Sequence, residues 1–194
     1  ITNISGVPSW MLSVLTRVME LSGKNHLEEV WPNIEMFFHG GVAFTPYRKQ
    51  YEQLIKSPNM HYMETYNASE GFFGLQNDPT DKSMLLMLDY GVFYEFIPMD
   101  EFGRENPTVV PLWGVETNKN YAMVISTSSG LWRYIIGDTV MFTSVNPYKF
   151  VITGRTKHFI NAFGEELIVD NAEQGLAYAC QQTGAQVLEY TAAP

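Results

Sequence analysis

Cysteine, basic residues and long apolar runs are all scarce in this sequence. Its one cysteine among 194 residues, Cys180, cannot form an internal disulfide, and such usage is typical of reducing compartments, so we expect a cytoplasmic protein. The 12 basic residues against 21 acidic ones give a formal charge of -9, and this sign repels phosphate backbones, which argues against a nucleic-acid partner. No apolar run approaches the roughly 20 residues of a membrane-spanning helix, so we expect no membrane partner.

The first third of the chain has the pattern of a parallel α/β unit. Hydrophobic residues make up 45% of the sequence, as in globular proteins. Apolar spacing and turn residues predict helices at 8–22 and 47–56 and strands at 34–38 and 61–66. A strand–helix–strand order favours parallel pairing, and ligands bind such sheets at the carboxyl ends of the strands.

The middle of the chain has a different pattern, a series of short strands separated by turn residues. Such a series is typical of an antiparallel sheet or a distorted barrel. Helical spacing returns after Gly164 and ends at Gly184. The predicted strands are 83–88, 91–98, 121–126, 131–136, 139–144 and 150–153.

Glu70 is the first candidate for chemistry. It stands in the polar segment Tyr66-Asn67-Ala68-Ser69-Glu70-Gly71, which follows a predicted buried strand. A carboxylate at that edge of a sheet could bind Mg²⁺, which commonly uses one or two carboxylates together with substrate phosphates. The alternative is structural: Ser69 and Glu70 could satisfy backbone donors as a helix or turn cap.

Gly40 and Gly41 follow the preceding predicted strand. Glycines let a backbone approach a flat ring without interference from side chains. An ordinary turn is the alternative, and the pair is no phosphate-binding loop, because no lysine followed by serine or threonine stands at the required spacing.

Asp138 follows an apolar segment and a glycine in Tyr134-Ile135-Ile136-Gly137-Asp138. An acidic residue so placed can accept hydrogen bonds from both ribose hydroxyls. A hairpin turn at Gly137 and Asp138 is an equal alternative. Downstream, Arg155 and Lys157 could contact ribose or phosphate oxygens, although isolated charges in a turn are more often solvated.

These segments together resemble a known family. The order of the motifs resembles that of adenylate-forming enzymes. Their residues are most similar to one branch, the auxin-responsive (Gretchen Hagen) acyl-acid amido synthetases, with bacterial-type members nearest. The resemblance extends over nearly the whole chain. It is carried by residues 6–10, 66–74, 94–98, 131–138 and 154–166.

The resemblance implies a chemistry and a set of roles. An acid and ATP would give an acyl-adenylate and pyrophosphate, and an amine, usually an amino acid, would then displace AMP. Cofactors would be ATP and Mg²⁺. Glu70 would act at the metal and phosphates as the catalytic residue. The implied nucleotide contacts are Gly40, Gly41, Val42, Tyr66, Ala68, Ser69, Asp138 for the ribose, Arg155, and Lys157 at a hinge.

The resemblance also implies an α/β fold that is part of the large domain of such an enzyme, a parallel subdomain plus a distorted antiparallel barrel. Residues 1–157 would belong to that domain, and 158–194 would be the hinge and the start of a small mobile domain. The family's upstream phosphate loop and distal lysine are not in this sequence, so we expect a fragment, inactive alone, whose partners include the rest of its own chain. An acyl-CoA ligase or a non-catalytic nucleotide-binding remnant are the alternatives.

Overall fold

The computed structural model describes residues 1–156, 159–162, 165–185, 187 and 190, with backbone alone at 159–162 and 165–171. The helices are α1 (Pro8–Ser22), α2 (Arg48–Leu54) and α3 (Val169–Thr183). The strands are β1 (Asn3–Gly6), β2 (Met36–His39), β3 (His61–Ala68), β4 (Gly71–Gln76), β5 (Met84–Leu86), β6 (Val92–Pro98), β7 (Val110–Pro111), β8 (Asn120–Thr127), β9 (Tyr134–Val145), β10 (Tyr148–Arg155), β11 (Phe159–Ala162) and β12 (Glu165–Ile168).

One mixed sheet organises the described chain. Its ten strands follow the order β1-β2-β3-β4-β5-β10-β9-β8-β6-β7, and β11 pairs separately with β12. The pairs β1–β2 and β2–β3 are parallel, whereas every pair from β3–β4 onward in the ten-stranded sheet is antiparallel. The predicted combination of a parallel α/β part with an antiparallel part is therefore confirmed.

Each part has its own aromatic core. Helices α1 and α2 cover the parallel strands, and Phe37 stacks on Tyr51 with ring centroids 4.8 Å apart. The hydroxyl of Tyr51 donates a hydrogen bond to the carbonyl oxygen of Pro8 at 2.8 Å, which ties α2 to the start of α1. The antiparallel strands β3 to β6 and β8 to β10 enclose a second core that includes Phe73, Phe142 and Phe150.

Five of the described strands, β1, β4, β7, β11 and β12, were not expected from the sequence. β1 is short and polar, and β4 contains Gly71 and Gly74, which are rare in strands because glycine packs nothing. Gly74 is nevertheless required, because a Cβ there would lie 2.7 Å from Cζ of Phe150 in the second core. Packing between strands therefore overrides the local preference.

The two strands predicted at 131–136 and 139–144 are one strand, β9, and the hairpin-turn alternative for Gly137 and Asp138 is wrong. Gly137 has a φ of 94°, and the pairing of β8 with β9 shifts register around it. The glycine thus marks an irregularity inside a strand. β9 begins only at Tyr134, because Arg133 has a left-handed backbone with a φ of 47°.

Candidate active site

A cleft of about 920 Å³ lies where the parallel part meets the antiparallel part. It is bordered by the segment after β2, by β3 and the turn that follows it, by β9 and β10, and by α3. The lining residues are Val7, Ser9, Trp10, Gly41, Val42, Ala43, Pro46, Tyr47, Glu64, Thr65, Tyr66, Asn67, Ala68, Glu70, Ile136, Asp138, Ile152, Thr153, Gly154, Arg155, Glu173 and Tyr190. Seven of the sequence-predicted contacts are among them.

Glu70 lies in a two-residue turn between β3 and β4. Ala68 and Gly71 are direct partners in the register, so Ser69 and Glu70 alone close this hairpin. Glu70 lines the cleft and Ser69 does not. A side-chain hydrogen bond with Glu70 raises the pKa of Tyr134, which lies at the start of β9. The turn therefore presents one carboxylate to the cleft, beside a phenolic hydroxyl.

Asp138 is fixed from two sides. The Tyr66 hydroxyl donates to its Oδ2 at 2.6 Å, and Nε of Arg155 lies 3.2 Å from its Oδ1. Arg155 is the direct partner of Asp138 in the pairing of β10 with β9. Gly137 accommodates this arrangement, since a Cβ there would lie 3.2 Å from Nη2 of Arg155. Both partners of this ion pair line the cleft.

The glycine pair divides into two environments. A Cβ on Gly40 would overlap the carbonyl oxygen of Thr65, so this glycine allows the backbone after β2 to approach β3. Gly41 has a φ of 85° and lines the cleft together with Val42, whereas Gly40 does not line it. Gly40 therefore lets the segment lie close to β3, and Gly41 and Val42 are the residues of the segment that line the cleft.

Several cleft residues were not anticipated from the sequence. Thr153 on β10 shares a 2.9 Å hydrogen bond with Thr139 and donates to Oδ1 of Asn120 at 2.7 Å. Single threonines carry no recognisable motif, and the register between β9 and β10 is what brings Thr139 and Thr153 together. Only the three-dimensional pairing could have revealed this network.

Glu64 was also missed, and the pKa of its carboxyl group is strongly raised. Burial and then the nearby Glu173 carboxylate raise the pKa of Glu64 to about 7. Tyr190 donates a hydrogen bond to Oε1 of Glu173 at 3.2 Å, and burial together with Glu173 raises the pKa of Tyr190 to about 12. A glutamate within a predicted strand gave no signal, because its neighbour Glu173 is more than a hundred residues away in sequence.

Lys157 lies outside the described residues. For Mg²⁺, the described part of the chain has no cluster of three or more His, Cys, Asp or Glu side chains that could hold a metal ion. Glu70 in the cleft still fits Mg²⁺, because this ion is commonly held by one or two carboxylates plus substrate phosphates and water. Within the described residues, no helix is long and apolar enough to cross a membrane.

Comparison with known proteins agrees with the motifs. Residues 2–60 match the GH3 family N-terminal domain, and residues 85–155 match the GH3 family central domain. The chain belongs to the GH3 family. The family resemblance predicted from the motifs is thereby confirmed.

Curated relatives from Arabidopsis thaliana are similar to this chain over two thirds or more of its length. The indole-3-acetic acid-amido synthetase GH3.3 is 28% identical over 85% of this chain and 29% of its own length. The 4-substituted benzoates-glutamate ligase GH3.12 is 31% identical over 67% of this chain and 24% of its own length. This chain thus spans less than a third of the relatives it matches.

Solved structures have the same fold. The GH3.15 acyl acid amido synthetase in complex with 2,4-DB aligns over 90% of this chain and 32% of its own, with a TM-score of 0.69 and 19% identity. A 2-hydroxyisobutyryl-CoA ligase in the postadenylation state aligns over 91% of this chain and 37% of its own, with a TM-score of 0.64 and 15% identity. The predicted fold, part of the large domain of an adenylate-forming enzyme, is confirmed.

Proposed function

We propose that the full-length protein is an ATP-dependent acyl-acid amido synthetase. The observation that carries the proposal is the placement of Glu70 and Asp138 in one cleft with Arg155 beside them. A nucleotide needs a carboxylate for its metal, acceptors for its ribose and a cation for its phosphates, and these three groups supply them. Membership of the GH3 family supports the same conclusion.

The proposed reaction has two steps. A carboxylate oxygen of the substrate acid attacks the α-phosphorus of ATP, the bond to the bridging oxygen of the β-phosphate breaks, and pyrophosphate leaves. An amine nitrogen then attacks the acyl carbon, the amide bond forms, the bond from that carbon to the phosphate oxygen breaks, and AMP leaves as the nitrogen loses a proton. A small carboxylic acid and an amino acid are the proposed substrates, as the names of the relatives suggest.

Each cleft residue has a proposed task in this scheme. Glu70 would hold Mg²⁺, which supplies charge neutralisation at the phosphates. Asp138 would accept the ribose hydroxyls, with Arg155 at the ribose or phosphates. Gly41 and Val42, with Tyr66 and Ala68, would border the adenine and phosphates. Gly40 and Ser69 do not line the cleft, so we propose no direct nucleotide contact for either residue.

The organisation of the whole protein is also proposed. Residues 1–157 would belong to the large domain and 158–194 would begin a small mobile domain, with Lys157 at the hinge between them. The scarcity of cysteine supports a cytoplasmic location. The parts that lie beyond this chain would supply the phosphate loop and the distal lysine.

Pyrophosphate exchange tests the first step. The full-length protein, given ATP, Mg²⁺ and a panel of aromatic and aliphatic acids, should return labelled pyrophosphate into ATP with at least one acid. Glu70→Gln removes the proposed metal ligand, so this variant should fold but exchange far more slowly. No exchange with any acid by a folded protein would favour a nucleotide-binding remnant.

The acceptor is tested separately. An acid that supports exchange is supplied with either an amino acid or coenzyme A, and the products are identified by mass spectrometry. An amide with release of AMP supports the proposal. A thioester formed in place of an amide would make the protein an acyl-CoA ligase.

A further inference from the structure

Tyr66 differs from a typical ligand-stacking residue in how little of it is exposed. Only 5% of its surface is accessible, although it borders the cleft. Its ring packs in the second core, with centroids 5.1 Å from Phe73 and 6.0 Å from Phe150. These contacts with the protein fix the position of the ring and therefore of its hydroxyl.

The hydroxyl of Tyr66 is directed at Asp138 instead. The 2.6 Å bond to Oδ2 has the length of a charge-assisted hydrogen bond, which is about twice as strong as a neutral one. Burial and the adjacent Asp138 carboxylate raise the pKa of Tyr66, so this hydroxyl remains a donor at all physiological pH values. The bond connects β3 to β9 across the edge of the cleft.

The remaining capacity of the carboxylate fits a ribose. An ionised carboxylate has about four acceptor positions, two on each oxygen. Tyr66 occupies one on Oδ2, and Nε of Arg155 lies 3.2 Å from Oδ1 as an ion-pair partner. Acceptor positions therefore remain on both oxygens, as the two hydroxyls of one ribose require.

From this geometry we propose that Tyr66 is a positioning residue for ribose recognition: its buried hydroxyl holds Asp138 in the orientation that accepts both ribose hydroxyls. This inference rests on the proposed nucleotide site. It predicts that Tyr66 discriminates between nucleotides with and without ribose hydroxyls.

The test compares ATP with 2′,3′-dideoxyATP in binding titrations of the full-length protein. Wild type should bind ATP more tightly. Tyr66→Phe should weaken ATP binding by about threefold to tenfold, in the range of one lost hydrogen bond to a charged group, and leave dideoxyATP binding unchanged. In the background of Asp138→Ala, Tyr66→Phe should have no further effect on ATP binding, because residues that act through one another are not additive.

Tyr94→Phe is the matched control. Tyr94 is buried in the same core and donates its hydroxyl to the carbonyl oxygen of Met87 at 2.9 Å, away from the cleft. Both variants lose one hydroxyl bond from that core, but only Tyr66→Phe should change the preference for ribose.

Two outcomes would overturn the inference while leaving the proposed function intact. In the first, Tyr66→Phe binds ATP and dideoxyATP as wild type does. In the second, it weakens both nucleotides equally, which would indicate a general effect on the fold or the adenine. If wild type itself binds the two nucleotides equally, Asp138 does not read the ribose, and the inference fails together with that assignment. Pyrophosphate exchange and the acceptor assay with wild type decide the proposed function independently.

Discussion

His39 and Glu64 are direct partners in the parallel register of β2 and β3, and burial keeps both of them uncharged over a common range of pH. The pKa of His39 falls to about 4, through burial and then the positive charge of Arg48. Burial and the Glu173 carboxylate raise that of Glu64 to about 7. The His39 ring stacks on Phe44 with centroids 4.3 Å apart, and its Nδ1 is buried without a hydrogen-bond partner among the described residues.

The first prediction concerns stability against pH. Between about pH 4.5 and 6.5 the unfolded state binds a proton at His39 that the native state rejects, so this residue makes stability rise with pH. Glu64 holds a proton in the native state that the unfolded state releases, so it makes stability fall with pH. The two effects oppose each other in wild type. Glu64→Gln should therefore add a rising slope of at most about 1.4 kcal/mol per pH unit, and His39→Phe a falling slope of similar size.

Urea unfolding at several pH values between about 5 and 6.5 measures these slopes relative to wild type. Both variants keep a side chain of similar shape, and His39→Phe also keeps an aromatic ring against Phe44. If the stability of both variants follows the wild-type pH dependence, His39 and Glu64 titrate normally. Their opposing effects on stability would then not exist.

The second prediction concerns Asp138. Asp138→Ala in the full-length protein should weaken ATP binding at least about tenfold, because charged hydrogen bonds to the ribose are each worth about 1.5–3 kcal/mol. It should also lower stability by about 1–3 kcal/mol, since the buried Tyr66 hydroxyl loses its acceptor. Asp138→Asn retains an acceptor for that hydroxyl and should recover most of the stability. Unchanged nucleotide affinity in a folded Asp138→Ala variant would leave this residue a purely structural role.

The third prediction separates catalysis from binding at Glu70. Glu70→Gln is nearly isosteric and should lower the rate of adenylation at least about 10²-fold, near the loss of one strong electrostatic contact in a closed site. ATP affinity should change much less, because the carboxylate matters most as charge moves between the phosphates. Pyrophosphate exchange and melting are measured on the same preparation. Glu105→Gln, in an exposed loop outside the cleft, is the control.

A different result would reverse this interpretation of Glu70. As a turn residue alone, Glu70 would contribute about 1 kcal/mol to stability and nothing to the reaction. A lower melting temperature with full pyrophosphate exchange would therefore contradict the catalytic assignment.

The fourth prediction uses two glycines. Gly40→Ala places a Cβ against the backbone of β3 at Thr65, and it should cost about 1–3 kcal/mol of stability, as overpacking does. Gly175→Ala, on an exposed position of α3 where a Cβ meets nothing within 4 Å, should instead stabilise by about 0.5–1 kcal/mol. The melting temperatures of the two variants should change in opposite directions if the segment after β2 lies as close to β3 as described. Equal effects would mean that the segment after β2 moves away freely.

The sequence predicted most elements where the signal is local. Helix 8–22 follows from apolar spacing and from Gly23, whose left-handed backbone ends α1. The parallel pairing of β2 and β3 follows from the helix between them. β4 could not be predicted, because the reason for Gly74 is the ring of Phe150 on another strand.

The residues of the candidate site likewise divide into those with a local sequence signal and those without one. Glu70 and Asp138 stand in motifs and were recognised, although their tasks stay predictions. Glu64 and Thr153 enter the cleft only through strand register and the docking of α3, and no contiguous pattern encodes those. Gly137 was ambiguous for a physical reason: the same φ above zero serves a hairpin turn and an irregularity within a strand.

Strand β3 belongs to both parts of the molecule, and this has a consequence for how the molecule unfolds. Tyr62 packs on the core of the parallel part and Tyr66 lies in the core of the antiparallel part, four residues further along the same strand. Neither core can lose β3 without exposing the other, so we expect their slowest amide protons to exchange with solvent together. A slip of β3 by one residue would turn Glu64 and Tyr66 to the opposite face. The cleft therefore forms only when both cores fold together with β3 in its correct register.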